Sequence, residues 1–379
     1  TFTLPNKTGN GWITLQSSAL ASLPPPGTRV TPAYAQYMPK IVATLGNPAL
    51  VTASGAHNYQ IVGIEVTSAP NTYTYTMVGL GGIENSFDQI PYNLILDRVY
   101  IHGDPTVGAK IGVVLNSRST IVRNSWISDI KSSTQDAQGI LGWNGPGPFQ
   151  ILNNYIEAST ENIMFGSAAA QVAGLVPSDI EIRDNYLYKP LSWRPGDPSY
   201  AGTNWWVKNL LELKNARRVM IDGNILENCW ENQQGGYAVL FTVRTELVAM
   251  PWAVVEDVTF THNIIRHVGG GFAIGGSDDN GTGKSRRIRI ENNLLEDVNS
   301  TRWGGVGRLM VAMNQVDDLT FNHNTAFQDG GIDFADGRIP NQNFVYTNNL
   351  TPHGLGIGGS GIGVGTVALN YYYSGAVCT

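Results

Sequence analysis

The amino-acid sequence predicts an all-β chain wound as a single-stranded parallel β-helix solenoid of about ten coils with an internal asparagine ladder, and three observations predict it. The first is a recurring phrase: a short alternating strand, a polar pair ending in Asn, then a second apolar pair. It is read in FQILNNYIEA, IEIRDNYLYK, RVMIDGNILEN, VTFTHNIIRHV, RIRIENNLLEDV, LTFNHNTAFQ and FVYTNNLTPH. Aligned on the Asn, these give Asn154, Asn185, Asn224, Asn263, Asn293, Asn324 and Asn349, spaced by 31, 39, 39, 30, 31 and 25 residues. Repeats of roughly 20 to 50 residues belong to solenoids, propellers or arrays. The second observation is period. Each unit holds short strands with almost no helical periodicity, which removes the helical solenoids, and leucine-rich and WD signatures are missing. The third is composition: 44 glycines, 14% charged residues and many Val, Ile, Thr, Tyr and Asn favour strands joined by tight turns.

Taken in order, residues 1–57, with SLPPPGTRVTP, read as first coils and a proline-rich excursion. Residues 58–350 are the regular coils. QIVGIEVTS begins the series, and LILDRVYIHG and TIVRNSWISDI enter the same frame with Arg98 and Ser125 at the Asn position. Residues 351–379 form a glycine-rich last coil and tail, and the whole reads as a single domain, 1–379. Neither a cap helix at the start nor a polar cap at the end is evident, although solenoids normally need caps. In a β-helix equivalent residues stack at the strand spacing, so an Asn in a tight bend can bond its side-chain amide to the Asn above and below. The asparagines are therefore read as structural, and His262 and His323, beside them, as caps of the same bend.

Composition also sets exclusions. A net charge of −6 without a basic run argues against nucleic acid. No apolar run is long enough to span a membrane. Cys229 and Cys378 are read as free thiols rather than a disulfide framework, and no His or Cys spacing suggests zinc, haem or an organic cofactor. The opening TFTLPNKTGNG has no Met and no signal segment, so a mature or trimmed chain is expected. The sequence carries no signal for oligomeric state.

Function on a solenoid lies on outward strand positions and adjoining loops. The two 39-residue coils carry the long insertions LSWRPGDPSYAGTNWWVK and TELVAMPWAV, which are expected to wall a groove. With Leu211 and Leu213 inward, Glu212 and Lys214 point out; with Phe241 and Val243 inward, Thr242 and Arg244 point out one coil later. The flanking outward positions, Met164, Gly166, Ala273 and Gly275, are small or apolar and leave room for a ligand. Trp193, Trp205 and Trp206 are candidate sugar-stacking faces, joined by Asn144 and Asp278 as candidate substrate contacts. Asp278 and Asp279, in GGSDDNGTG, offer the paired carboxylates a glycosidase needs, although the flanking residues read first as a turn. Asp333 is placed outward in register with Glu212, where it reads as a solvated carboxylate.

The repeat resembles right-handed parallel β-helix proteins of the pectate-lyase-like superfamily, over residues 58–350. The resemblance implies a carbohydrate partner and a secreted, periplasmic or cell-surface setting. ELKNARRVMIDGN followed by LFTVRTE is also similar to alginate lyases of polysaccharide lyase family six. That similarity implies Lys214 as catalytic base, Arg244 as the arginine of the next coil and Glu212 as a Ca2+ ligand. A second acidic ligand and the Arg-His-Gly after the second strand are missing. The expected activity is cleavage of a uronate-containing polysaccharide by β-elimination. A carboxylate-using glycoside hydrolase and a non-catalytic glycan-binding or structural β-helix are the alternatives. A cation on Glu212 is expected because an unassisted amine, with a pKa near 10.4, is a poor base at neutral pH.

Overall fold

The computed structural model describes residues 1–246, 248–336 and 341–352. The fold is the expected one: an all-β, right-handed parallel β-helix, the hand that parallel crossovers take. The chain forms two compact units. Residues 1–164 and 169–206 make the first; residues 165–168 and the described residues from 207 onward make the second.

Each unit repeats a coil of three strands, one in each of three parallel sheets. In the second unit the first sheet runs through Asn209–Leu213, Tyr237–Thr242, Gly270–Gly275, Arg308–Met313 and Asp333–Asp336. The second sheet runs through Ala216–Asp222, Val255–Thr261, Ser285–Glu291, Asp317–Asn322 and Val345–Thr347; the third through Ile225–Cys229, Ile264–Val268, Leu294–Val298 and Thr325–Gln328. Alternation sends every second side chain inward, so like stacks on like. Leu211, Val239, Phe272 and Met310 are aligned in register, as are Leu213, Phe241, Ile274 and Ala312, and all are buried. Phe260 and Phe272 meet edge to face at 5.3 Å across the core. Full burial of each of these Val, Leu, Ile, Phe and Met side chains contributes about 1.5–3 kcal/mol. The first unit is built alike, with strands from Phe2–Leu4 onward.

The polar pair of the repeated phrase has two jobs. Its second residue forms the ladder. Asn224 donates from its backbone N–H and its side-chain amide to Asn263 Oδ1 at 2.8 and 2.9 Å; Asn263 does the same to Asn293, Asn293 to Asn324 and Asn324 to Asn349. In the first unit Ser125 and Asn154 donate to Asn154 and Asn185. Its first residue turns the corner in the left-handed region: φ lies between 52° and 69° at Arg98, Asn124, Asn153, Asp184, Gly223, His262, Asn292, His323 and Asn348. Asn, Asp and Gly tolerate that conformation best. Arg98 thus takes the corner, not the ladder position. Val99 stands in the ladder row, with its N–H donating to Ser125 Oγ at 3.1 Å.

The proline-rich excursion lies against the first unit. Leu23, Val30 and Met38 pack with Tyr100 and Trp126. Arg98 donates to Pro24 O, and Arg29 to Asn153 and Asp184. Cys229 is buried, its thiol donating to Lys208 O at 3.1 Å. Its proposed alternative partner Cys378, with the rest of 353–379, lies outside the described residues.

Candidate active site

The second unit carries a groove of about 650 Å3 on the outer face of its first sheet. Lys208, Glu212, Lys214, Thr242, Arg244 and Glu246 supply one side; Asp278, Asp279 and Asn280 supply the turn opposite; Leu240, Ala273, Gly275 and Met313 make a low floor. The outward reading of Glu212, Lys214, Thr242 and Arg244 holds, and Ala273 and Gly275 give the predicted room. The register is finer than the sequence suggested. Glu212 aligns with Leu240, while Lys214 stands beside the chain at Val243–Arg244, with Arg244 N–H donating to Lys214 O at 3.1 Å.

Glu212 and Lys214 emerge just where the sheet edge yields to a bend. Lys214 N–H donates to Phe165 O at 2.7 Å, bringing residues 165–167 against the start of the bend. Gly166 makes this approach possible. Its φ is 101°, and a Cβ there would sit 2.6 Å from Asn215 N and 2.9 Å from Lys214 Cβ. The side chains then order themselves. Lys214 Nζ lies 3.6 Å from Glu212 Oε1 and 3.5 Å from Glu246 Oε1, between a buried carboxylate and one that is 54% exposed. Asn209 Nδ2 donates to Glu212 Oε2 at 3.0 Å and to Gln234 Oε1 at 3.3 Å. Arg244 is exposed, with no carboxylate at ion-pair distance among the described residues.

Several expected contacts have other work. Asp278 is tied into its turn, Oδ2 accepting from Thr245 N–H at 2.9 Å and Oδ1 from Asn280 N–H at 3.1 Å. That leaves Asp279, exposed beside it, as the less committed carboxylate. Asp333 is corrected outright. It aligns with Leu211 and Met310 and is buried, whereas Glu212's row leads to Phe334.

The tryptophans and Asn144 belong to the first unit. Trp193 and Trp205 are buried against Lys131, whose Nζ lies 5.5 and 5.2 Å from their ring centres, so the first insertion is pinned by cation–π packing. Trp206 is half-buried, and its backbone N–H donates to Ser132 O at 3.0 Å. Asn144 is fully buried; its amide donates to Gly82 O and Glu84 O, and its Oδ1 accepts from Gln171 N–H. These side chains hold loops.

The residues around Glu212 do not fit a calcium ion. A hard cation takes six to eight oxygens, but one oxygen of Glu212 faces an ammonium and the other is held by an amide. No three Asp, Glu, His or Cys side chains converge among the described residues. Glu246 is a groove-lining carboxylate that the sequence reading passed over. It continues the 242, 244, 246 alternation in TVRTE and was readable there, but only the turn after Arg244 brings its carboxylate back to Lys214.

Among the described residues no helix is long and apolar enough to cross a membrane. No family model and no curated protein matches the chain. Among solved structures it is similar to a family 28 exopolygalacturonase of Yersinia enterocolitica, at 13% identity and a TM-score of 0.43, over 80% of this chain and 46% of that one. It is similar also to the Dettilon tailspike protein, at 12% and 0.42 over 79% and 60%, and to a tailspike protein of Pseudomonas phage LKA1, at 14% and 0.32 over 84% and 51%. The chain therefore spans 46% to 60% of the length of these structures. The chemistry of the groove is read from its own side chains.

Proposed function

We propose that the groove of the second unit binds a uronate-containing polysaccharide and cleaves it by β-elimination. The supporting observation is that Lys214 and Arg244 open on one groove whose floor is small and apolar. Arg244, with no carboxylate partner of its own among the described residues, holds the substrate carboxylate and stabilises the enolate-like charge that builds on it. Glu212 is the proton store. A sugar chain lying over the groove excludes water, and desolvation penalises both charges of the Glu212–Lys214 pair. Once the bound chain brings Nζ and Glu212 Oε1, 3.6 Å apart in the free protein, within hydrogen-bond distance, transfer of one proton between them leaves an amine and an acid.

The amine then takes the proton from the carbon beside the substrate carboxylate. That C–H bond breaks, a C=C bond forms and the glycosidic C–O bond opens. The departing oxygen takes the proton that Lys214 acquired, and the pair returns to its starting charges. The products are an unsaturated uronate end and a new reducing end. No cation enters the sequence of steps.

The test is a panel of uronate polysaccharides followed by ultraviolet absorbance, with calcium and then with chelator. Absorbance should rise equally in both, and Lys214→Met should lower the rate about 10²–10⁴-fold, the usual contribution of a positioned acid–base group. New reducing ends without absorbance would assign hydrolysis instead; silence in both assays would assign binding alone.

A further inference from the structure

The charge balance of the groove is uneven in a way that elimination chemistry does not use. Of the carboxylates facing it, Glu212 is buried and bonded to Asn209, and Asp278 is tied into its turn. Glu246 combines exposure with direct contact to Lys214: its side chain is 54% exposed, and Oε1 lies 3.5 Å from Lys214 Nζ while accepting from Ser167 Oγ at 3.2 Å. Arg244, two residues earlier, has no carboxylate within ion-pair distance among the described residues. A ligand carboxylate held by Arg244 and reaching toward Lys214 therefore competes with Glu246 for the Lys214 ammonium.

We infer that Glu246 is a built-in stand-in for the ligand's carboxylate, an autoinhibitory contact that an acidic sugar has to replace. The inference rests on the reading of this groove as a uronate site and gives its selectivity a cause. A neutral sugar offers Lys214 hydroxyl acceptors but no negative charge to replace that of Glu246, and leaves the pair closed. A uronate substitutes one carboxylate for another. The contact can be exchanged because exposed ion pairs are weak and screened by solvent. Ser167 fixes its position: the Ser167 backbone bridges to Thr245, so hydroxyl and loop are held at one place.

The test measures binding, not turnover. Trigalacturonate, trimannuronate and neutral maltotriose are titrated into the full chain and into Glu246→Gln and Ser167→Ala variants by calorimetry. For whichever acidic trisaccharide the wild type binds, Glu246→Gln should tighten binding about two- to fivefold, the range expected for removing a competing exposed pair. Ser167→Ala should shift it in the same direction by less, and maltotriose should gain nothing. Equal or weaker binding of the acidic trisaccharide to Glu246→Gln overturns the inference while leaving the groove a uronate site. No acidic trisaccharide binding to any form overturns both. An equal gain for maltotriose overturns the inference in favour of a merely steric obstruction. Melting temperatures of the three proteins check that the variants are folded.

Discussion

Single side chains in this protein differ most in what their polar atoms are spent on. Lys214 keeps two weak contacts and an opening to the groove, whereas Lys189 is fully buried, its ammonium donating to the carbonyls of Ala158, Ser159 and Thr160. The first can exchange partners; the second is fixed. Glu157 is a third case. Burial, and then the negative charge of Asp129, raises its pKa to about 7 against the pull of the Asp129 N–H and the Tyr155 hydroxyl. A carboxyl whose folded-state pKa exceeds its unfolded value of 4.5 holds its proton more tightly when folded. Its contribution is therefore complete below the unfolded value and is lost as pH rises through about 7. Glu157→Gln should accordingly melt higher than wild type at pH 8, by a few degrees or on the order of 1–3 kcal/mol, and close to wild type at pH 4. Thermal melts across that range check it.

At the scale of the element, the coil corner carries the fold's specificity. One residue accepts a left-handed backbone and the next gives two donors and one acceptor to its neighbours, so both backbone strain and buried amides are dealt with in two positions. Asn263 satisfies the N–H and side-chain amide of Asn224, and its own amide donates to Ile221 O and Thr261 O. Asn263→Ala should orphan two buried donors and cost about 2–4 kcal/mol in urea unfolding, with each unsatisfied group costing about 1–3 kcal/mol. The corner residue beside it is more tolerant. His262→Asn or His262→Gly keeps φ near 53° accessible and should change stability by less than about 1 kcal/mol in the same measurement.

Across the whole molecule, an acidic chain of net charge −6 is proposed to hold an acidic glycan. Long-range repulsion and short-range attraction then oppose one another, and salt separates them. Raising ionic strength from about 10 to 150 mM should speed association, because the protein's overall field is screened, and should also speed dissociation, because the Arg244 and Lys214 contacts are weakened. Stopped-flow binding of a fluorescent oligouronate reads both rates. The division between sequence and structure follows the range of the forces. Strand alternation, the Asn repeat and the outward placement of Glu212, Lys214, Thr242 and Arg244 were legible because each depends on neighbours one or two residues away and is copied along the chain. Arg98 was misplaced by one residue because an aligned phrase does not say which of two polar positions turns the corner. Asp333 was sent outward because its coil's register is set by pairing with Met310, a contact that lies between strands. The burial of Trp193 and Trp205 on Lys131, the turn bonds of Asp278, and the meeting of Glu246 with Lys214 were decided only by tertiary structure. Loop side chains choose partners by proximity in space, and strand periodicity gives no measure of that proximity.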